Sequence, residues 1–114
     1  MKLLLKEDLA KLQAQDPYHE SSGLNGKELP DDKAMVIVKF FTPDANWTWY
    51  AVSASKDEES GDVQFFGLVE GNATEFGYFW LSELEKARGL LGLPVERDMY
   101  WTPILLSELK RKVL

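Results

Sequence analysis

The chain has 114 residues, of which 45% are apolar and 28% charged. That balance fits one folded domain able to bury about two-thirds of its unfolded surface, and it excludes a disordered chain. Cysteine is absent, which removes a disulfide framework, a thiolate metal site and a Cys nucleophile from consideration. The net charge of −6 is concentrated in residues 34–80, where two Lys stand against seven acids, so the aromatic-rich middle lacks the cations that neutralise phosphates.

At the amino terminus, Leu5, Leu9 and Leu12 recur at helical spacing between Lys6, Glu7, Asp8 and Lys11, which predicts an amphipathic helix over 2–13. The apolar run Leu3–Leu5 is shorter than the roughly 7–15 residues of a signal peptide, and no stretch reaches the ~18 of a membrane span. No membrane association and a cytoplasmic location are therefore expected. Asp16-Pro17 breaks the helix, and turn formers from Ser21 to Asp32 predict a long loop or mobile arm over 14–33. His19, in that arm, is the single histidine, too few for a zinc site without other strong ligands.

From 34 to 42 the residues are β-branched and aromatic, and Pro43-Asp-Ala-Asn46 supplies a turn, so strands are expected at 34–42 and 47–55. Alternation places Trp47, Trp49 and Ala51 on one face of the second strand and Thr48, Tyr50 and Val52 on the other. One of Trp49 and Tyr50 then faces away from the main core unless helices cover both faces. Residues 56–62 form an acidic loop, and further strands follow at 62–70 and 75–81. Ser82-Glu-Leu-Glu85 has the spacing of a capping box that starts a short helix, 82–89, stopped by Gly89, Gly92 and Pro94. Residues 95–102 are extended and suit a further edge strand, and Ser107 opens a terminal helix, 107–113. The expected fold is α+β: one domain spanning 1–114, an antiparallel meander of four or five strands, and three helices packed on it.

Two clusters are candidates for binding. Asp44, Asn46, Trp47, Trp49 and Tyr50 put short polar groups at a sheet rim beside aromatic faces, which can stack on a ligand or serve as core. Glu96, Arg97 and Asp98 set a cation between two acids, so that an extended chain shows both carboxylates on the face opposite the guanidinium. The bland reading is a surface ion pair contributing well under ~1 kcal/mol. The alternatives are a buried Arg97 that bridges elements, or a polar site that adds Glu75, Glu83 or Glu85. No catalytic residue, cofactor or metal site follows from any motif.

Val38-Lys-Phe-Phe-Thr-Pro-Asp-Ala-Asn-Trp-Thr-Trp-Tyr50, Phe65-Phe-Gly-Leu-Val69, Glu75-Phe-Gly-Tyr-Phe79, Leu81-Ser-Glu-Leu-Glu85 and Gly92-Leu-Pro-Val-Glu-Arg-Asp-Met-Tyr-Trp101 together resemble the bacterial family catalogued as domain of unknown function 2958. The resemblance implies a small single-domain protein, often carried on plasmids and integrative or conjugative elements, and it carries no catalytic assignment. Relative to it the 14–33 arm is long, and Trp80 stands where a smaller or polar residue is expected. The functional expectation is a non-enzymatic accessory protein of a mobile element that binds a protein partner through an acidic, aromatic surface, with DNA mimicry toward a host defence enzyme as one sub-case. A small-ligand or nucleotide-processing enzyme using clustered carboxylates is the alternative. Single-strand nucleic-acid binding is a third reading, disfavoured by the charge.

Overall fold

The computed structural model describes residues 2–15 and 34–114. His19 and all but the first two residues of the expected 14–33 arm lie outside them.

The elements run α1 (Lys6–Gln13), β1 (Met35–Val36), β2 (Val38–Phe41), β3 (Thr48–Lys56), β4 (Val63–Glu70), β5 (Thr74–Trp80), α2 (Leu81–Lys86), β6 (Glu96–Arg97), β7 (Ile104–Leu105) and α3 (Leu106–Val113). β5-β4-β3-β2-β6 form a five-stranded antiparallel sheet, while β1 and β7 make a separate two-stranded pair. The α+β architecture and the four-strand meander with an added edge strand match the expectation from sequence.

Both faces of the sheet are covered. On one, α1 and α2 bury Leu12 and Leu84 with Val38, Phe40, Ala51, Ala54, Phe65 and Phe79, the small Ala51 and Ala54 leaving room for a helix. On the other, α3 buries Leu106 and Leu109 against Tyr50, Val52, Phe66 and Leu68, with Phe76, Tyr78 and Trp101 beside them. Trp49 therefore packs with the first layer and Tyr50 lies within the second, as alternation requires when both faces are dry. Ring pairs fill each layer: Phe40–Phe65 and Phe65–Phe79 at 5.5 and 5.2 Å between centroids, and Tyr50–Trp101 and Phe66–Tyr78 at 5.9 and 5.2 Å.

Several boundaries differ from the sequence reading. α1 starts at Lys6, because Leu3 and Leu4 are buried as an extended lead-in. The expected strand 34–42 divides at Ile37: its amide bonds the Ala51 carbonyl, after which the backward chain leaves the main sheet and pairs with β7. A register shift between Ala51 and Ser53 leaves Val52 as the extra residue of a β-bulge, which turns Ala54 back toward the α1 side. Only Glu96–Arg97 of the expected 95–102 strand pairs with β2.

The capping box is displaced by two residues. Glu83, not Glu85, reaches back, its Oε1 accepting the Trp80 amide at 2.9 Å. The Ser82 hydroxyl turns to the loop before β4, donating to Asp62 Oδ2 at 2.6 Å, while the Ser82 amide donates to Asp62 Oδ1 at 3.1 Å. Helix α2 is thus capped from 20 residues away and ends at Lys86.

Candidate interaction surface

The β2–β3 turn places Asp44 and Asn46 at one rim of the sheet. Thr42 closes it: its amide donates to the Trp47 carbonyl at 3.1 Å, and its Oγ1 accepts the Trp47 amide at 3.3 Å. Asp44 does not face solvent as a free ligand-orienting carboxylate. Its Oδ2 accepts the backbone amides of Leu91 at 2.6 Å and Leu93 at 3.3 Å. A side chain at Gly89 would place its Cβ 1.5 Å from Asp44 Oδ1, so the carboxylate sits where only glycine leaves space. The loop is closed on itself as well, with the Gly89 amide on the Leu93 carbonyl, an Arg88–Pro94 bridge at its stem, and Gly92 at φ +80 where an L side chain is strained.

This loop carries no charge from Gly89 to Leu93, and its leucines stand in solvent: Leu90 is 92% exposed and Leu91 82%. Beyond β6 a second turn does the same. The Asp98 amide bonds the Lys39 carbonyl and Asp98 Oδ1 accepts the Tyr100 amide, which presents Met99 and a 91% exposed Tyr100. Of the seven exposed large hydrophobic residues among those described, six are Trp47, Leu90, Leu91, Leu93, Met99 and Tyr100, and the loop and turn that carry five of these flank the short edge strand β6. Large apolar side chains held out in solvent on two such segments make them candidates for an interaction site.

The sequence candidates divide across this region. Trp47, 40% exposed, lies with its ring over Gly71 and stacks on Trp49 at 6.0 Å and 21°. Trp49 is half-buried and Tyr50 is core. Burial, and after it the Glu70 carboxylate, pushes the Tyr50 phenol above its ordinary value. Arg97 is a bridge between elements and not a surface residue: its side chain is 17% exposed and Nη1 stands 3.9 Å from Asp8 of α1. Asp98 Oδ2 lies 3.7 Å from Lys39 Nζ, which itself sits 5.7 Å from the centroid of Trp101. Glu96 pairs with Phe41 and is half-buried.

The carboxylates do not converge. Glu75 on β5 and Glu96 on β6 occupy opposite edges of the sheet, about 19 Å apart at the usual strand spacing, and Glu83 is committed to the Trp80 amide. The open hollow beside the β2–β3 turn, about 480 Å³, is lined by Lys39, Asn46, Trp47 and Glu70 among others, with one carboxylate. Among the described residues no group of three His, Cys, Asp or Glu is placed to hold a metal ion. No helix among them is long and apolar enough to cross a membrane.

Residues 3–110 match the model of a family described as a protein of unknown function, DUF2958. The chain belongs to the DUF2958 family. No curated protein and no solved structure matches it. Sequence reasoning about this DUF2958 protein singled out the turn residues but missed Leu90, Leu91 and Met99. A signal for the leucines was present: Gly89-Leu-Leu-Gly-Leu-Pro94 places three leucines between helix breakers, where neither a helix nor a strand can hide them.

Proposed function

We propose that this DUF2958 protein is a non-enzymatic accessory protein of a bacterial mobile element that binds another protein. The reading is supported above all by the exposed large apolar side chains on the 89–93 loop and on the 98–100 turn, the two segments that flank β6 in the chain. Both segments are held by carboxylates accepting backbone amides, so their backbones are in place before a partner arrives and less backbone entropy is lost on contact. The rim includes the expected Asp44, Asn46, Trp47, Glu96 and Asp98, with Asp44 acting as the post that fixes the loop. The enzyme alternative asks for carboxylates that meet in a cleft, and Glu75 and Glu96 stand on opposite edges of the sheet while Glu83 is on α2, committed to the Trp80 amide.

The test is affinity capture from the native host, followed by titration calorimetry with whichever protein is recovered. Trp47→Ala and Tyr100→Ala leave the buried layers intact and are expected to weaken binding at least tenfold each, as truncating an aromatic anchor does. Equal affinity in both variants would remove this edge from consideration.

A further inference from the structure

At the edge opposite β6 the sheet ends in a long strand. β5 runs seven residues in unbroken register with β4, and among the described residues no strand pairs with its other side. The direction of its backbone groups follows from the ladder. The Trp80 amide leaves the ladder for Glu83 Oε1, so Trp80 and Gln64 face each other without mutual hydrogen bonds, and in an antiparallel pair every second residue repeats that phase. The bond from the Thr42 amide to the Trp47 carbonyl, carried across β3 and β4, gives the same phase. Thr74 and Phe76 therefore turn amide and carbonyl away from β4, while Glu75 and Gly77 direct theirs to it. Proteins commonly blunt such an edge with a Pro, a Lys, a bulge or a short strand. β6 is two residues long, whereas β5 has none of these devices.

It carries instead a notch and a charge. Nothing lies within 4 Å of where a Cβ at Gly77 would stand, and its ladder partner is Gly67, so β4 sends no side chain over the spot. Two residues away on the same face is Glu75, which is exposed. From Lys56 to Trp80 one Lys stands against six acids. The nearest cation, Lys110, lies over the Phe76 ring on the opposite face.

We infer that β5 accepts an extended segment of another protein by strand addition, antiparallel like the other ladders of this sheet, with an aromatic residue over Gly77 and a Lys or Arg two positions further on, opposite Glu75. The backbone groups of Thr74 and Phe76 hold the segment, and the notch and the carboxylate select its sequence. Because Gly77 directs its own groups to β4, it faces the added strand at a closely spaced position, about 4.5 Å between Cα atoms, where a ring covers the glycine backbone. A second copy of the chain complements this edge less well. It brings a further −6, and in the two-fold register centred on Gly77 it sets one empty notch against another. The β5 site is independent of the surface beside β6.

The acetylated, amidated peptide Thr-Val-Thr-Phe-Thr-Lys-Thr, titrated into the full chain and followed by NMR, tests this. Bound peptide is expected to slow hydrogen exchange at the Phe76 amide at least about tenfold while leaving Glu75 and Gly77 nearly unchanged, since theirs are already in the β4 ladder. N-methylation of the Thr that follows Phe removes an amide facing β5 and is expected to abolish binding, whereas N-methylation of Phe itself, whose amide points away, retains it. Glu75→Lys is expected to weaken binding about fivefold, and a peptide with Glu in place of Lys restores it, as a cross-strand charge pair requires. Gly77→Val fills the notch and is expected to weaken binding at least about tenfold with a urea midpoint no lower than wild type, because its Cβ meets open space. No binding at millimolar peptide, binding without protection of Phe76, or equal binding of both N-methylated peptides overturns the inference. Protection of Phe76 that grows with protein concentration in the absence of peptide assigns the edge to a second copy, and overturns it too. Tyr100→Ala is expected to bind the peptide as wild type does, so failure at β5 leaves the reading of the β6 edge standing, and the reverse.

Discussion

Gln15 does the work of a missing strand. Where β1 leaves the main sheet, its side-chain amide fills the wedge: Nε2 donates to the carbonyls of Met35, at 3.0 Å, and of Val52, while Oε1 accepts the Met35 amide at 2.9 Å. Backbone groups freed by the divergence at Ile37 and by the bulge at Val52 are thereby satisfied, which buried peptide groups require. Gln15→Ala is expected to cost about 2 kcal/mol, the penalty of leaving such groups without partners, read from the urea midpoint at constant m. Gln15→Glu should recover little, because a carboxylate has no N–H for the two carbonyls. A loss under about 0.5 kcal/mol for Gln15→Ala would show that water substitutes for the amide. Neither this contact nor the fastening of Asp44 to Leu91 was legible in the sequence. They join residues 20 and 47 positions apart, and no local pattern encodes a pairing between a side chain and a distant backbone. What was legible was the chemistry of each partner alone: Asp44 as a turn residue, Gly89 and Gly92 as breakers.

At the level of the elements, α2 depends on the loop that precedes β4. Burial alone would raise the Asp62 carboxyl, but bonds from the Ser82 hydroxyl and from the Val63 and Ser82 amides, with Lys86 nearby, hold it below its ordinary 3.8. A carboxylate at a helix start also offsets the positive end of the helix dipole. Since the folded state favours the ionised form, its contribution is present above the ordinary value and is lost as pH falls through the lowered one. Asp62→Asn is expected to destabilise by about 1 kcal/mol at pH 7, in the range of a lost helix cap, and the difference from wild type should shrink as the pH falls from 5 toward 2. Urea midpoints at several pH values check this, and a gap that stays constant with pH would mean that charge has no part in the cap. The sequence signalled a helix here and erred on its first residue, because Leu81-Ser-Glu-Leu offers two registers, and the choice is made by Asp62 drawing Ser82 away from the helix end. Long strands were easier to read. Nine residues of β3 and eight of β4 are long runs rich in aromatic and β-branched residues bounded by turn formers, whereas the two-residue β7 carries no period, and Val36-Ile-Val38 gives no sign of the break at Ile37.

For the whole molecule, the decisive feature is that one sheet serves two apolar layers. Leu12 of α1 is fully buried on one face, and Leu109 of α3 is almost so on the other. The adjacent strands β3 and β4 contribute to both layers: Ala51, Ala54 and Phe65 to the first, Tyr50, Val52, Phe66 and Leu68 to the second. Loss of either helix therefore strips one face of the very strands on which the other helix rests, and partial unfolding to a sheet with one layer would expose aromatic surface with nothing to cover it. Leu12→Ala and Leu109→Ala are each expected to cost 2–5 kcal/mol, roughly the transfer and cavity loss for a buried leucine. Because the sheet separates the two sites, the double variant should cost the sum of the two to within about 0.5 kcal/mol. Every variant should still unfold in a single transition, with far-UV circular dichroism and tryptophan fluorescence superimposed, since Trp49 and Trp101 report on opposite layers. If instead the fluorescence transition in Leu109→Ala preceded the loss of helix and sheet signal, the second layer would be an independently melting unit, and the shared strands would not couple the two faces.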